Sequence, residues 1–314
     1  MKLSIIIPCK NEAGNVTGLY DKMSNTLKKI KYEMIFIDDG SSDNTMNELR
    51  TLYEKDMLHV KVLSFSRNFK KEAAMLAGLK HASGEYTCII DGDLQQNPNY
   101  LIQMMEVLDN EKEYDEVAMV MKERKAESGF MAFCKNIFYK LMDKMSDVHF
   151  ENAASDFRMF RKNVREAILS LGENNRFSKG IFAWVGFNVK YLPYDVEPRV
   201  NGKSSFNFKS SLNYAIDGIL AFSTKPLKLS FGIGIFCLLA FFIYLCVLLV
   251  QALAFDLIFQ PIFIVILLIL FLAGMQFIVI GLLGQYLAKT YLEVKNRPVY
   301  IIKEKLGFND ENIL

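Results

Sequence analysis

The sequence predicts an α/β fold, a doubly wound and mostly parallel sheet, followed by juxtamembrane amphipathic helices and two transmembrane helices. Three observations carry that expectation. Apolar, β-rich runs alternate with helical patterns from residue 1 to about residue 121. Acidic residues follow directly on several of those runs. Two long stretches near the end, Leu229–Phe255 and Leu257–Ala288, contain no Asp, Glu, Lys or Arg.

Taken in order, Leu3–Ile7 reads as a strand and Ala13–Ile30 as a helix. Tyr32–Ile37 is a second strand, with a helix over Asn44–Glu54. Val60–Phe65 and Tyr86–Ile90 are the third and fourth strands, followed by helices near Lys71–His81 and Tyr100–Asn110. Val117–Met121 reads as a fifth. Strands with little polar alternation, separated by helices, belong to a mostly parallel sheet covered on both faces. Ligands in such sheets bind outside the carboxyl ends of the strands.

Phe130–Met145 places Phe130, Phe133, Cys134, Ile137, Phe138, Leu141, Met142 and Met145 on one helical stripe, with Lys135, Lys140 and Lys144 off it. Such a helix packs on its own domain or lies on an anionic membrane face. Phe208–Phe222 is a second amphipathic segment, and its nearness to the first charge-free stretch favours the membrane surface there. A helix needs about 20 apolar residues to cross a hydrocarbon core of about 30 Å, and both charge-free stretches are long enough. The division is therefore an α/β domain at 1–205, a juxtamembrane segment at 206–228, a two-helix hairpin at 229–288 and a tail at 289–314.

Lys225 and Lys228 precede the hairpin, and Lys289, Lys295 and Arg297 follow it. Its turn carries Asp256 and no basic residue. The positive-inside rule then sets both termini and the whole N-terminal domain in the cytoplasm. The apolar run at Met1–Pro8 is too short for a signal peptide. Net charge is only +2, so binding to nucleic acid is not indicated. The five cysteines form no CxxC pair and read as free thiols of a reducing compartment.

The strand ends carry the chemistry. After the first strand stands Pro8-Cys9-Lys10-Asn11-Glu12, without the GxGxxG of a dinucleotide fold or the GxxxxGK[ST] of a P-loop. The second ends in Asp38-Asp39-Gly40-Ser41 and the fourth in Asp91-Gly92-Asp93-Leu94-Gln95. In a parallel sheet, Glu12, Asp38, Asp39, Asp91 and Asp93 would gather along one edge. So many like charges need cations or donor groups to answer them. A hard divalent ion held by one or two carboxylates and completed by substrate phosphates is the usual answer. The site looks built for a nucleotide diphosphate with Mg2+ or Mn2+.

With these motifs the chain resembles a family 2 glycosyltransferase of GT-A fold, within the polyprenyl-phosphate group. The likeness also rests on Ser66-Arg67-Asn68-Phe69, Ala154-Ser155-Asp156-Phe157-Arg158 and Arg199-Val200-Asn201-Gly202-Lys203-Ser204-Ser205-Phe206. It implies that Pro8, Asn11, Glu12, Asp38, Asp39, Asp91 and Gln95 contact the nucleotide sugar. Asp91, Asp93 and Gln95 would hold the metal, and Asp156 would face the donor sugar and the acceptor. Arg199, Lys203 and Ser204, helped by Arg124 and Arg176, would grip the lipid phosphate.

Implied partners are a nucleotide sugar, a UDP-hexose first, and undecaprenyl or another polyprenyl phosphate in the membrane. The resemblance also raises a homotetramer, and a flippase and second transferase of the same pathway. A phosphate monoester has a second pKa of about 6, so it is largely anionic at neutral pH and needs little general-base help. Asp156 is therefore first an orienting group and only second a proton acceptor, and one-step displacement would invert the anomeric carbon. A processive polysaccharide synthase would carry QxxRW and more spans; here Ala183 precedes Trp184. A silent scaffold is disfavoured by intact acidic motifs.

Overall fold

A computed structural model describes residues 1–122, 154–174, 176–198 and 262–308, with helical residues between 232 and 250. The alternating pattern folds as expected. Strands β1 (Leu3–Cys9), β2 (Tyr32–Asp38), β3 (Val60–Phe65) and β4 (Tyr86–Ile89) are parallel to one another. Between them run α1 (Val16–Thr26), α2 (Thr45–Lys55) and α3 (Lys71–His81), and α4 (Tyr100–Asn110) follows β4. Each of the four strands has buried side chains on both faces, which explains its unbroken apolar run.

The chain then reverses. β5 (Glu116–Met121) and β6 (Ala154–Arg161) are antiparallel, β6 also runs antiparallel to β4, and β7 (Val189–Tyr194) closes that side parallel to β5. The short helices α5 (Lys162–Ser170) and α6 (Ser178–Trp184) lie between β6 and β7. The spatial order is β7-β5-β6-β4-β1-β2-β3-β8, where β8 is Ile302–Leu306.

One core lies on each face of the sheet. Leu3, Ile5, Ile7, Phe36, Val62 and Met104 belong to one, and Ile6, Ile35, Ile37, Leu63, Ala77 and Ile181 to the other. On the second face α3 lies very close to β1 and β2. A Cβ on Gly78 would sit 2.3 Å from Ile6 Cγ2, so only glycine permits the approach. That contact sets the N-terminus of α3 over the carboxyl ends of the strands.

The first helix is shorter than expected. Gly14 has φ 82° and the turn Glu12–Asn15 occupies its predicted start. The tail expected at 289–314 is not separate from the catalytic domain: β8 (Ile302–Leu306) pairs antiparallel with β3 as the last strand of the sheet. Arg50 on α2 grips Glu304 through two nitrogens, at 3.1 and 2.7 Å, and Tyr300 stacks on Phe65 at 5.1 Å.

Helix α7 (Ile262–Val294) precedes β8 and runs past the expected end of the second span at Ala288. Among the described residues one helix, Phe271–Val294, is long and apolar enough to cross a bilayer; a shorter apolar helix covers Gly234–Tyr244. The amphipathic segments Phe130–Met145 and Phe208–Phe222, and most of the expected first span, lie outside the described residues. Cys9, Cys88, Cys237 and Cys246 are free thiols.

Candidate active site

The carboxyl ends of β1, β2 and β4 meet as the parallel order requires. Cys9 is paired with Asp38 across β1 and β2, and the Asp39 N–H donates to the Cys9 carbonyl at 2.9 Å. A Cβ on Gly92 would lie 3.1 Å from Cys9 Sγ and 3.4 Å from the Pro8 carbonyl, with Glu12 Cγ at 3.6 Å. Glycine therefore lets the β4 turn close onto β1. Burial raises the Cys9 thiol pKa, and the charges of Glu12, Asp38 and Asp91 raise it further. Three strand ends thus surround one thiol.

Each acidic residue has a distinct setting. Asp38 is buried, accepting from Ser41 N at 3.1 Å and from Ser64 Oγ at 3.0 Å. Asp39 is buried as well, and its Oδ1 accepts the Phe69 N–H at 2.6 Å. Desolvation outweighs that bond and raises the Asp39 carboxyl pKa. Asn11 Oδ1 accepts from Ser42 N, and Asn11 N donates to Ser41 Oγ, both at 2.9 Å. Glu12 Oε2 accepts from Asn15 at 2.6 Å.

On the other side of β4, the register Ile89↔Arg158 brings Asp156 beside Asp91. Lys71, the first residue of α3, joins them: its Nζ lies 2.6 Å from Asp91 Oδ1 and 2.8 Å from Asp156 Oδ2. Burial alone would raise the Asp156 carboxyl, but the charges of Lys71, Lys179 and Arg158 outweigh it and hold its pKa at about 2. Asp156 Oδ1 is buried with no hydrogen-bond partner among the described residues.

Gln95 and Arg176 each bond to other parts of the chain. Gln95 lies beside Asp93, whose Oδ1 accepts its backbone N–H at 3.2 Å, while its Nε2 donates to the Glu197 carbonyl at 3.2 Å. The neighbouring Gln96 clasps Asp91: its Oε1 accepts the Asp91 N–H at 2.9 Å and its Nε2 donates to Asp91 Oδ2 at 3.1 Å. Leu94 at φ 62° turns the backbone so that residue 96, not 95, faces Asp91. Arg176 is buried, its Nη1 and Nη2 donating to the carbonyls of Leu171 and Ile168. Its guanidinium anchors its own loop rather than an outside phosphate. Arg124, Arg199, Lys203 and Ser204 lie outside the described residues.

Sequence reasoning missed Lys71, Gln96 and Glu197. Glu197 accepts from Lys22 at 3.1 Å and Asn97 at 2.7 Å, tying the β4 turn to the chain that leads toward Arg199. Arg158 forms a buried pair with Glu116 at 2.5 Å and lies over the Phe182 ring at 3.9 Å, which fixes the strand that carries Asp156.

Among the described residues, no group of three or more His, Cys, Asp or Glu could hold a metal alone. Asp91 and Asp93 flank Gly92 on one tight turn, and Asp156 keeps a buried oxygen without a partner. This donor set fits a hard cation that takes one or two protein carboxylates and finishes its shell on phosphate oxygens.

The Glycosyl transferase family 2 profile matches residues 4–169, more than half of the chain. The glycosyltransferase-named protein CsbB of Bacillus subtilis is 40% identical over 304 residues, covering 96% of this chain and 91% of that one. A prophage-derived bactoprenol glucosyl transferase of Shigella flexneri is 38% identical, covering 97% and 98%; the Escherichia coli prophage bactoprenol glucosyl transferase homolog is 36% identical, covering 96% and 99%. With this match and these acidic strand ends, the chain belongs to glycosyl transferase family 2 and is a glycosyltransferase.

Proposed function

We propose that the protein transfers one sugar from a nucleotide diphosphate sugar, a UDP-hexose first, to a polyprenyl phosphate such as undecaprenyl phosphate. The reaction takes place at the cytoplasmic face of the membrane, with inversion at the anomeric carbon. The observation that supports this reading is the convergence of Asp91 and Asp156 on the Lys71 ammonium at the carboxyl edge of the sheet. Two relatives of nearly equal length named as bactoprenol glucosyl transferases support the acceptor class.

Asp39 and Glu12, with Pro8, Asn11 and Asp38, face the nucleotide. Asp91 and Asp93 would hold Mg2+ or Mn2+, which when bound neutralises charge developing on the leaving diphosphate. Asp156, with its pKa at about 2, stays ionised at neutral pH and is a poor proton acceptor. It orients the donor sugar and acceptor, and the lipid phosphate attacks as the anion it already is. Arg199, Lys203 and Ser204, with Arg124, answer the acceptor's charge, since arginine matches phosphate oxygens in pairs and lysine adds a point charge. Two spans, 229–255 and 257–288, hold this site at the lipid surface. The product is a lipid-linked sugar for the cell envelope.

The test is a nucleotide-sugar screen of the purified full chain with a short polyprenyl phosphate. One sugar per lipid from one donor is expected. Long chains would identify a processive synthase, and no transfer from any donor would identify a scaffold.

A further inference from the structure

Lys71 is a charged group that touches two carboxylates of the site and that the family motifs above leave without a role. It opens α3, the helix that Gly78 lets settle against β1 and β2. The residue before it, Lys70, has φ 75° and ψ 163°, a conformation almost reserved for glycine. The residue after it, Glu72, accepts from Ser178 through both the backbone N–H and the hydroxyl. Lys71 is thus fixed from both sides, and its ammonium reaches Asp91 and Asp156 at 2.6 and 2.8 Å. Strain of this kind persists only where surrounding structure over-determines it, and it gathers at functional sites.

An ammonium ion between two carboxylates occupies the electrostatic place of a cation. Without it, Asp91, Asp93 and Asp156 would leave a strongly negative pocket open to any divalent ion. We infer that Lys71 is the resident counter-ion of the transfer site: it holds Asp91 and Asp156 together until the metal arrives with the donor diphosphate, then yields Asp91 to that metal. The site therefore takes metal poorly by itself and well as a metal–nucleotide complex. This rests on the metal reading proposed above. It assigns Lys71 a positioning role that sets when the cation binds.

The test titrates Mn2+ into the purified full chain and follows free Mn2+ by electron paramagnetic resonance, with and without UDP. Wild type, Lys71→Met and Lys71→Arg are compared. Without UDP, Lys71→Met is expected to bind Mn2+ about tenfold more tightly than wild type, because one positive charge a few ångströms away has gone. Lys71→Arg keeps the charge and stays near wild type. With UDP the three proteins converge.

An unchanged or weaker Mn2+ affinity in Lys71→Met without UDP would overturn the inference. So would a loss confined to UDP binding, which would make Lys71 a phosphate ligand. If wild type takes up no Mn2+ even with UDP, the metal reading itself fails and the inference with it. Should Lys71→Met fold poorly in metal-free buffer, its melting temperature is the second readout. Mn2+ is expected to raise it by more than it raises wild type, and an equal rise would contradict the role.

Discussion

Glu293, in the last turn of the long apolar helix, receives the backbone N–H of Asn174 on both carboxylate oxygens, at 3.0 and 3.1 Å. An acidic residue is electrostatically misplaced at a helix C-terminus, where the dipole favours cations. The contact explains its presence. It links the end of α7 to the loop before α6, and Ser178 at the start of α6 reaches Glu72, beside Lys71. Hydrogen bonds and the chain between them therefore connect the end of α7 to Lys71 and the carboxylates it meets.

Cutting that path should act on the acceptor side. Glu293→Ala is expected to raise the KM for polyprenyl phosphate by about threefold to tenfold, the size of one partly exposed charged hydrogen bond. The KM for the nucleotide sugar should move less, and Glu293→Gln, which keeps an acceptor oxygen, should recover most of the loss. Steady-state kinetics with each substrate varied in turn decides it.

Lys70 offers a gain in stability. Its backbone conformation costs a non-glycine residue about 1–3 kcal/mol, and glycine returns about 0.5–1 kcal/mol of that through its looser unfolded chain. Lys70→Gly should therefore stabilise the domain by about 1 kcal/mol. A melting temperature unchanged or lowered in the variant would show that the strain is absent.

Arg158 is expected to be structural in its energetics. Its partner Glu116 is fully buried, and burial raises the Glu116 carboxyl even against the pull of Arg158. Arg158→Met strands that carboxylate and should cost about 3–5 kcal/mol. Adding Glu116→Gln should restore most of the loss, as read by denaturation of single and double variants.

Acid should weaken the site through Asp156. Its carboxyl sits at about 2 in the folded chain against 3.8 ordinarily. A depressed carboxyl contributes stability that is complete above the unfolded value and disappears as pH falls through the folded one. The window is therefore from about pH 4 down to about pH 2, and the amount about 2 kcal/mol. Asp156→Asn should show a flatter stability profile across that window.

Much of this was legible beforehand because parallel strands buried on both faces write unbroken apolar runs. β1 to β5 and the carboxyl edge follow from that alone. β6 was visible only as a motif, because its charged residues Asp156, Arg158 and Arg161 interrupt the apolar signal. β8, with Lys303, Glu304 and Lys305 at its centre, reads as a polar tail, and only pairing with a strand far back in the chain makes it part of the sheet. Lys71 sits in a segment read only as a helix; its role depends on how closely α3 packs. That Gln96 clasps Asp91 turns on one left-handed residue, Leu94, whose φ of 62° no local pattern announces.

The most direct test is transfer of labelled sugar to a short polyprenyl phosphate by the purified full chain, wild type against Asp93→Ala, with Mn2+ and with EDTA. Wild type should load one sugar per lipid, stop in EDTA and recover with added metal, while Asp93→Ala stays inserted in the membrane and inactive. Ordinary turnover by Asp93→Ala, or transfer indifferent to EDTA, would contradict a site built on Asp91 and Asp93 for a metal-bound donor.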